Sequence, residues 1–589
     1  MKDDSSVPGP LPRRGRIAPP GPPRRLPLAA RALAAAVTAA ALLPLTAAVP
    51  AAAVPSPTPT TKATTKATTA ATTAPPTAGA DDRLADDGLA DEPAGEQNDR
   101  VGNDGPPAAR GTSAPRTATA AGRPQDFRIA PTGDLGGLVT RLGTSLPQQT
   151  LTKLLEQTDR TARLGGACGP EAHFGASLRP ERRACWEPAD AVSKEWIPQG
   201  ISGISDAQED ERWGASPADP VAISSYDADN PGRGNRVNER DYCLQPGVDE
   251  ACNEKGVRVT FLNQLTGAYR HVLLVWPYLN PQRNVSFDAI HAREGTCPEF
   301  GPLAPDCMAQ EGIHAGGIVW YGDHLYVADT ANGLRVFDLG TILDLDADQN
   351  PAVHDRTPDG LTSNVQDQVR VGRHNNVWYS YGYRYVMPQV ATLTFTTPRH
   401  GGATDENQCY PTGRPKASYA SLDRTGTKHL IIGEYCNLNS EGAQSPGRVA
   451  ALPMPALAAA VRGTEGAIDA TEAYELPRGA VLGTGTEPLW HKIQGVERYE
   501  GRWYFHRSNG GSPGKLLRAT TAAGAFTPHP VVLDSVIGPE DLYLTHGRGR
   551  NLPPALWSLS EHAPSASCAT CAREVFSYPL SQVDGGFTP

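Results

Sequence analysis

Acid, base and amide residues stand immediately before several short apolar runs: Gln199, His314, Lys416, Lys492 with Gln494, and Glu540 with Asp541. Gathered around one opening, they would include a base (His314), a cation (Lys492) and a carboxyl (Glu540), enough for acid–base chemistry. The same mixture converging on a pocket mouth also describes a plain binding site. Water-filled channels carry such residues too, so residue type leaves catalysis and binding both open. The chain has no G-x-S-x-G, H-E-x-x-H or P-loop. Nucleophile-elbow, zincin and nucleotide chemistries therefore lack support.

Two further patterns point to ligands. Asp344, Asp346, Asp348 and Asn350 place oxygen donors at alternate positions, with Asp355 twelfth in the run. Calcium takes oxygens at such spacing around one loop. Position six is Gln349 instead of glycine, and position twelve is Asp instead of Glu, so a solvated acidic loop is the simpler reading. No other cofactor is indicated. Tyr379, Tyr381, Tyr383 and Tyr385 alternate, so on one strand they would share a face. That face suits stacking on a glycan or other flat ligand, or ordinary packing between sheets.

The elements that must position these residues are short strands. Residues 318–327 and 496–505 align without gaps, each with Tyr at the fourth and ninth places and a Gly in the turn between. Further copies begin at 199–201 (with 221–227 and 257–263), at 418–423 (with 430–434 and 448–452) and at 541–544 (with 555–559 and 574–580). Residues 381–386 followed by 390–395 offer a sixth. A single meander cannot bury both its faces, and radial repetition closes such a chain without long free edges. The reading is an all-β, β-propeller fold, six blades favoured and five to seven allowed, with long inserted loops. A β-sandwich or two stacked β-domains is the alternative. Residues just before each innermost strand of a propeller surround its central channel, which is where the candidates above fall. Helices are expected only over 146–164, capped by Ser145, and briefly over 456–461.

These meanders resemble those of secreted bacterial, actinobacterial-type β-propellers over 196–589. The resemblance implies architecture alone, because propellers host binding, hydrolysis, lyase and isomerase chemistry alike.

Ahead of that region, arginines from 13 to 31 precede an Ala/Leu-rich run and Ala51-Ala-Ala53, the order of a secretory signal peptide. Arg24-Arg25 leaves Sec and twin-arginine export both open. We therefore expect a signal peptide at 1–53, a disordered Thr/Pro/Ala-rich and acidic linker at 54–125, and a lead-in segment at 126–195. All ten cysteines lie between 168 and 571 in neighbouring couples. Disulfides Cys168–Cys185, Cys243–Cys252, Cys297–Cys307, Cys409–Cys436 and Cys568–Cys571 are the economical pairing for an exported chain, though spacing does not fix connectivity. A redox or zinc role for the Cys568–Cys571 pair is the alternative.

Without its leader the chain carries 47 basic and 62 acidic residues, which disfavours a nucleic-acid partner. The expectation is a secreted, monomeric module that is not inserted in the membrane after cleavage. It would bind an extracellular ligand, a glycan or a surface protein. The alternative is a hydrolase or lyase acting on a polysaccharide or small ester at the channel.

Overall fold

The computed structural model describes residues 122–213, 219–228, 255–280, 282–290, 313–347, 356–368, 370–402, 408–438, 445, 447–479, 488–547, 552–585 and 587. All fall in one compact unit, Ala85–Pro589.

The described strands form a propeller of five four-stranded antiparallel blades. The first holds Trp196–Gly203, Pro220–Asp227, Val257–Asn263 and Ala268–Leu279, from the innermost strand outward. The second holds Ile318–Tyr321, His324–Asp329, Gly333–Asp338 and Tyr385–Phe395. The third runs Tyr419–Asp423, His429–Gly433, Arg448–Pro453 and Glu472–Glu475. The fourth runs Ile493–Tyr499, Arg502–Arg507, Pro513–Ala522 and Ala525–Pro528. The fifth joins Tyr543–Thr545, Ala555–Leu559 and Glu574–Pro579 to Arg182–Cys185, an outer strand taken from far earlier in the chain.

Burial explains why these strands need one another. Side chains alternate across each blade, and both faces are apolar. Five separate cores fill the gaps between neighbours: Phe261 with Trp320, Val336 with Leu430, Ile431 with Phe505, Leu516 with Leu556, and Ile223 with Trp557 represent them in turn. The inner strands meet closely where glycine removes the side chain. A Cβ on Gly200 would lie 2.9 Å from the Ile318 amide nitrogen, one on Gly317 2.0 Å from that of Ala420, and one on Gly495 2.7 Å from the Asp541 Cα. The ring closes where the Asp541 N–H donates to the Gln199 carbonyl (3.4 Å).

Three expectations need correction. The favoured count of six becomes five, because 381–395 is no blade of its own. Tyr381 (φ 52°) and Gly382 (φ 82°) turn the chain, and Tyr385–Phe395 then completes the second blade. Its neighbours Thr362–Asn364, Val371–His374 and Val377–Ser380 form a small inserted sheet. The single lead-in helix is two, Gly136–Ser145 and Leu151–Glu156. Ser145 ends the first, while the Thr150 side chain caps the second by accepting from the Lys153 N–H. Finally, the segment before 196 does more than lead in. Ile129–Asp134 extends the second blade and Arg182–Cys185 completes the fifth. The expected short helix near 456–461 is present as Met454–Val461.

Disulfides Cys168–Cys185, Cys409–Cys436 and Cys568–Cys571 are present, so the last pair is oxidised and its sulfurs are not thiolate ligands for zinc. The couples Cys243/Cys252 and Cys297/Cys307 lie outside the described residues. Among the described residues, no helix is long and apolar enough to cross a membrane.

Candidate functional site

First strands leave the channel mouth and second strands return to it, so the mouth is built from residues before the former and after the latter. Glu540 precedes the fifth blade's inner strand, and Glu561 follows that blade's second strand. Their side chains hydrogen-bond each other. Glu540 Oε1 also accepts from Gln494 Nε2 (3.1 Å), and Glu561 Oε2 from Gln199 Nε2 (3.3 Å). The chain Gln494–Glu540–Glu561–Gln199 therefore links blades four, five and one. Burial, the Glu561 charge and hydrogen bond, and the Asp541 charge push the Glu540 carboxyl well above the ordinary range. The folded state therefore favours the protonated Glu540 carboxyl. The Arg573 guanidinium donates to the Glu561 carbonyl, and burial lowers it to about 10.

Around this buried pair stand the more accessible groups. His314 is exposed and stacks flat on Tyr226, with ring centroids 4.6 Å apart and 4° between planes. Its segment is tied down by Ser224, whose Oγ donates to the Ala315 carbonyl (2.8 Å). Lys492, at φ 53°, is half-buried, and its N–H donates to the Cys436 carbonyl (2.8 Å). Lys416 is half-buried, and its N–H donates to Glu434 Oε1 (3.0 Å). Glu434 is itself held by Arg448 at 2.8 and 2.9 Å. Asp541 turns inward, its Oδ2 accepting the Ile201 N–H (3.3 Å).

Of the sequence candidates, the structure thus brings Gln199, Gln494 and Glu540 into one network and sets Asp541 deeper in the channel. Glu561 and Tyr226 were missed. The readable signal was their place at the ends of second strands, the position that Asp329 and Glu434 also occupy.

The tyrosines do not share one strand face. Tyr379 lies in the strand Val377–Ser380 of the small sheet, beneath the Arg370 guanidinium (5.4 Å). Tyr381 sits in the turn and in an outer core, and Tyr383 packs edge-on to Trp196. Tyr385 is buried, and its hydroxyl donates to Gln157. In the acidic run, Asp344 is fully buried and accepts from Arg384 Nε and Nη2, both at 2.8 Å. That carboxylate already has its counter-ion. Asp346 donates its N–H to Asp344 Oδ1 (3.0 Å), and Asp348, Asn350 and Asp355 lie outside the described residues.

At the opposite end of blades three and four, a cleft of about 320 Å³ is lined by Asp423, Thr425, His429, Arg498 and Trp503. Arg498 there is taken by Asp423 (2.5 Å) and Glu472 and lies over Trp503, so the cleft presents no spare cation.

No family model matches the sequence, and no curated protein does. Among solved structures, the chain is similar to the RS223 β-xylosidase at 10% identity, covering 66% of this chain and 94% of that one, with a TM-score of 0.30. A GH43_1 enzyme from Xanthomonas citri complexed with xylotriose shares 12% identity over 66% of this chain and 88% of its own, with a TM-score of 0.28. The six-bladed β-propeller lectin of Aleuria aurantia shares 7% over 63% and 72%, with a TM-score of 0.22.

Proposed function

We propose that the protein is an exported β-propeller that binds a polar extracellular ligand, a glycan or a glycan-bearing surface protein, at its channel mouth. The observation that carries this reading is the mouth itself. A buried acid and amide network, Gln494–Glu540–Glu561–Gln199, lies within a ring bearing Lys416, Lys492 and the flat Tyr226–His314 stack. Amides and neighbouring carboxyls offer both donors and acceptors to hydroxyl groups, and a flat ring stack suits a sugar face. Three disulfides accord with an oxidising compartment.

The carboxyl pair also favours one second reading, hydrolysis or elimination on a polysaccharide. Two-carboxylate glycosidases separate the groups by about 5–5.5 Å or about 6.5–9.5 Å to admit a nucleophile or a water, so this reading requires the interacting Glu540 and Glu561 carboxyls to part around the substrate.

A glycan array run beside a panel of hydrolase and lyase substrates tests both readings. Binding that weakens about tenfold or more in Gln494→Ala, without turnover, is the expected result. Turnover that Glu561→Gln abolishes would overturn the binding reading. No binding to any glycan would end it as well.

A further inference from the structure

On the side of blades two and three, the mouth continues outward along two chain segments that the ligand reading does not use. Residues 413–416 run inward over the third blade. The Gly413 carbonyl accepts from Arg448 Nη1 (3.0 Å), at the mouth end of that blade's third strand. The Lys416 N–H donates to Glu434 Oε1 (3.0 Å), just past the end of the second. Residues 396–400 leave the second blade at the same end, where the Phe395 N–H donates to the Asn332 carbonyl (2.8 Å). The two segments are fastened together. The Arg414 N–H donates to the Pro398 carbonyl (2.8 Å), its Nε donates to the Thr397 carbonyl (3.0 Å), and His400 Nδ1 meets Thr412 Oγ1 at 2.7 Å. Gly413, at φ 89°, permits the crossing, since a Cβ there would lie 2.7 Å from the His400 amide nitrogen.

Charge along this track is not balanced. The carboxylates that flank it are held by other arginines: Asp126 by Arg448 (3.3 Å), Glu434 by Arg448 (2.8 Å), Asp469 by Arg128 (3.5 Å) and Glu475 by Arg478 (2.7 Å). Among the described residues no carboxylate pairs with Arg399 or Arg414. Burial and the like charge of Arg399 instead lower the Arg414 guanidinium. Arg399 is exposed and Arg414 half-buried. Beside them the exposed His400 stacks flat on Tyr410, with ring centroids 5.0 Å apart and 13° between planes, the arrangement that Tyr226 and His314 also adopt. A guanidinium fork matches the two oxygens of a carboxylate or sulfate, and a flat ring pair suits a sugar face. A neutral chain laid here would strip water from two cations and return no opposite charge. We propose that the mouth ligand is an acidic polysaccharide, whose carboxylate- or sulfate-bearing units extend from the mouth over the third blade to Arg414 and Arg399. The proposal rests on the glycan reading of the mouth and gives it a substrate class.

Titrations of the exported full-length protein with polygalacturonate and its neutral methyl ester, and with dextran sulfate and plain dextran, test it. At least one acidic polymer should bind about tenfold or more tightly than its neutral counterpart, and the preference should shrink as salt is raised. Which acid binds decides between uronate and sulfate. Arg399→Gln should weaken acidic binding about tenfold, and Arg399→Glu should weaken it further, both with an unchanged melting temperature. Arg414→Gln should weaken it similarly. Where losing the bond to Thr397 lowers the melting temperature of Arg414→Gln, the Arg399 variants carry the test. Equal binding of acidic and neutral polymers would overturn the proposal, as would no binding of either acid, or acidic binding that both Arg399 variants leave unchanged. Gln494→Ala separates this failure from failure of the mouth reading: a neutral glycan whose binding it weakens leaves the mouth reading standing. Acidic binding that falls in Arg399→Gln and is untouched in Gln494→Ala would support the track and remove the mouth reading.

Discussion

The chemistry of single residues here is set by burial. Glu540 has its pKa raised by desolvation and by Glu561, so the folded state prefers the protonated form. Its stabilising contribution is complete below the ordinary carboxyl value and is lost as pH rises through the raised one. Glu540→Gln keeps an acceptor for Gln494 and gains a donor toward Glu561. We expect it to be more stable than wild type at pH 8 by roughly 1–3 kcal/mol and close to wild type near pH 4. Urea titrations at the two pH values read this directly, and equal differences at both would refute it. His506 is the opposite case. Burial holds its imidazole down to about 4, where it is neutral between Ser535, Ser558 and the Glu540 carbonyl. That contribution is present above the ordinary histidine value and disappears as pH falls from about 6.5 through about 4. His506→Gln should flatten the acid limb of the stability profile over that window, at a cost in stability at pH 7. A limb unchanged in steepness would show that other groups govern it.

At the scale of the element, the inner strands are specified by what they omit. Gly317 has no room for a Cβ against the third blade's backbone, 2.0 Å from the Ala420 nitrogen. Gly317→Ala must push two inner strands apart, and we expect about 3 kcal/mol or more of destabilisation. Gly322 sits in the following turn at φ 61° with nothing near its Cβ position. Gly322→Ala should cost only about 1–2 kcal/mol, the strain of a left-handed alanine. Chemical denaturation of the two variants compares them, and equal losses would mean that strain, not crowding, is what these glycines avoid.

The whole molecule depends on how the ring is closed. Arg182–Cys185 supplies the fifth blade's outer strand, pinned by the Cys168–Cys185 disulfide and by Arg183, which donates to both Glu574 oxygens at 2.6 and 2.7 Å. Glu574 is fully buried, and removing its partner strands a charge. Arg183→Ala should therefore cost about 3–5 kcal/mol. Loss of the disulfide, whose cysteines are 17 residues apart, should cost about 3 kcal/mol through loop-closure entropy. Proteolysis of Arg183→Ala should release the segment before 196 first. Cleavage beginning elsewhere would show that this strand is not the closure.

The repeat starts at 199, 318, 418, 496 and 541 mark the five inner strands because each blade follows the same local rule: an alternating apolar strand, a glycine turn and a returning strand. Local patterning also placed Gln199, Gln494 and Glu540 at the mouth, and proximity in sequence paired the three described disulfides. Tertiary structure alone decided what depends on distant segments meeting. The Tyr379–Tyr385 run looks like a strand until Tyr381 and Gly382 turn it, and its second half is claimed as an edge by the second blade. Arg182–Cys185 carries no meander pattern, because the strands it pairs with are supplied almost four hundred residues later. Asp344 alternates like a calcium ligand, yet Arg384 across the sheet neutralises it. Glu561 meets Glu540 only because closing the ring sets separate strands of the chain around one channel. Side-chain period is a property of a few adjacent residues, whereas charge pairing and desolvation are properties of the space that the closed ring encloses.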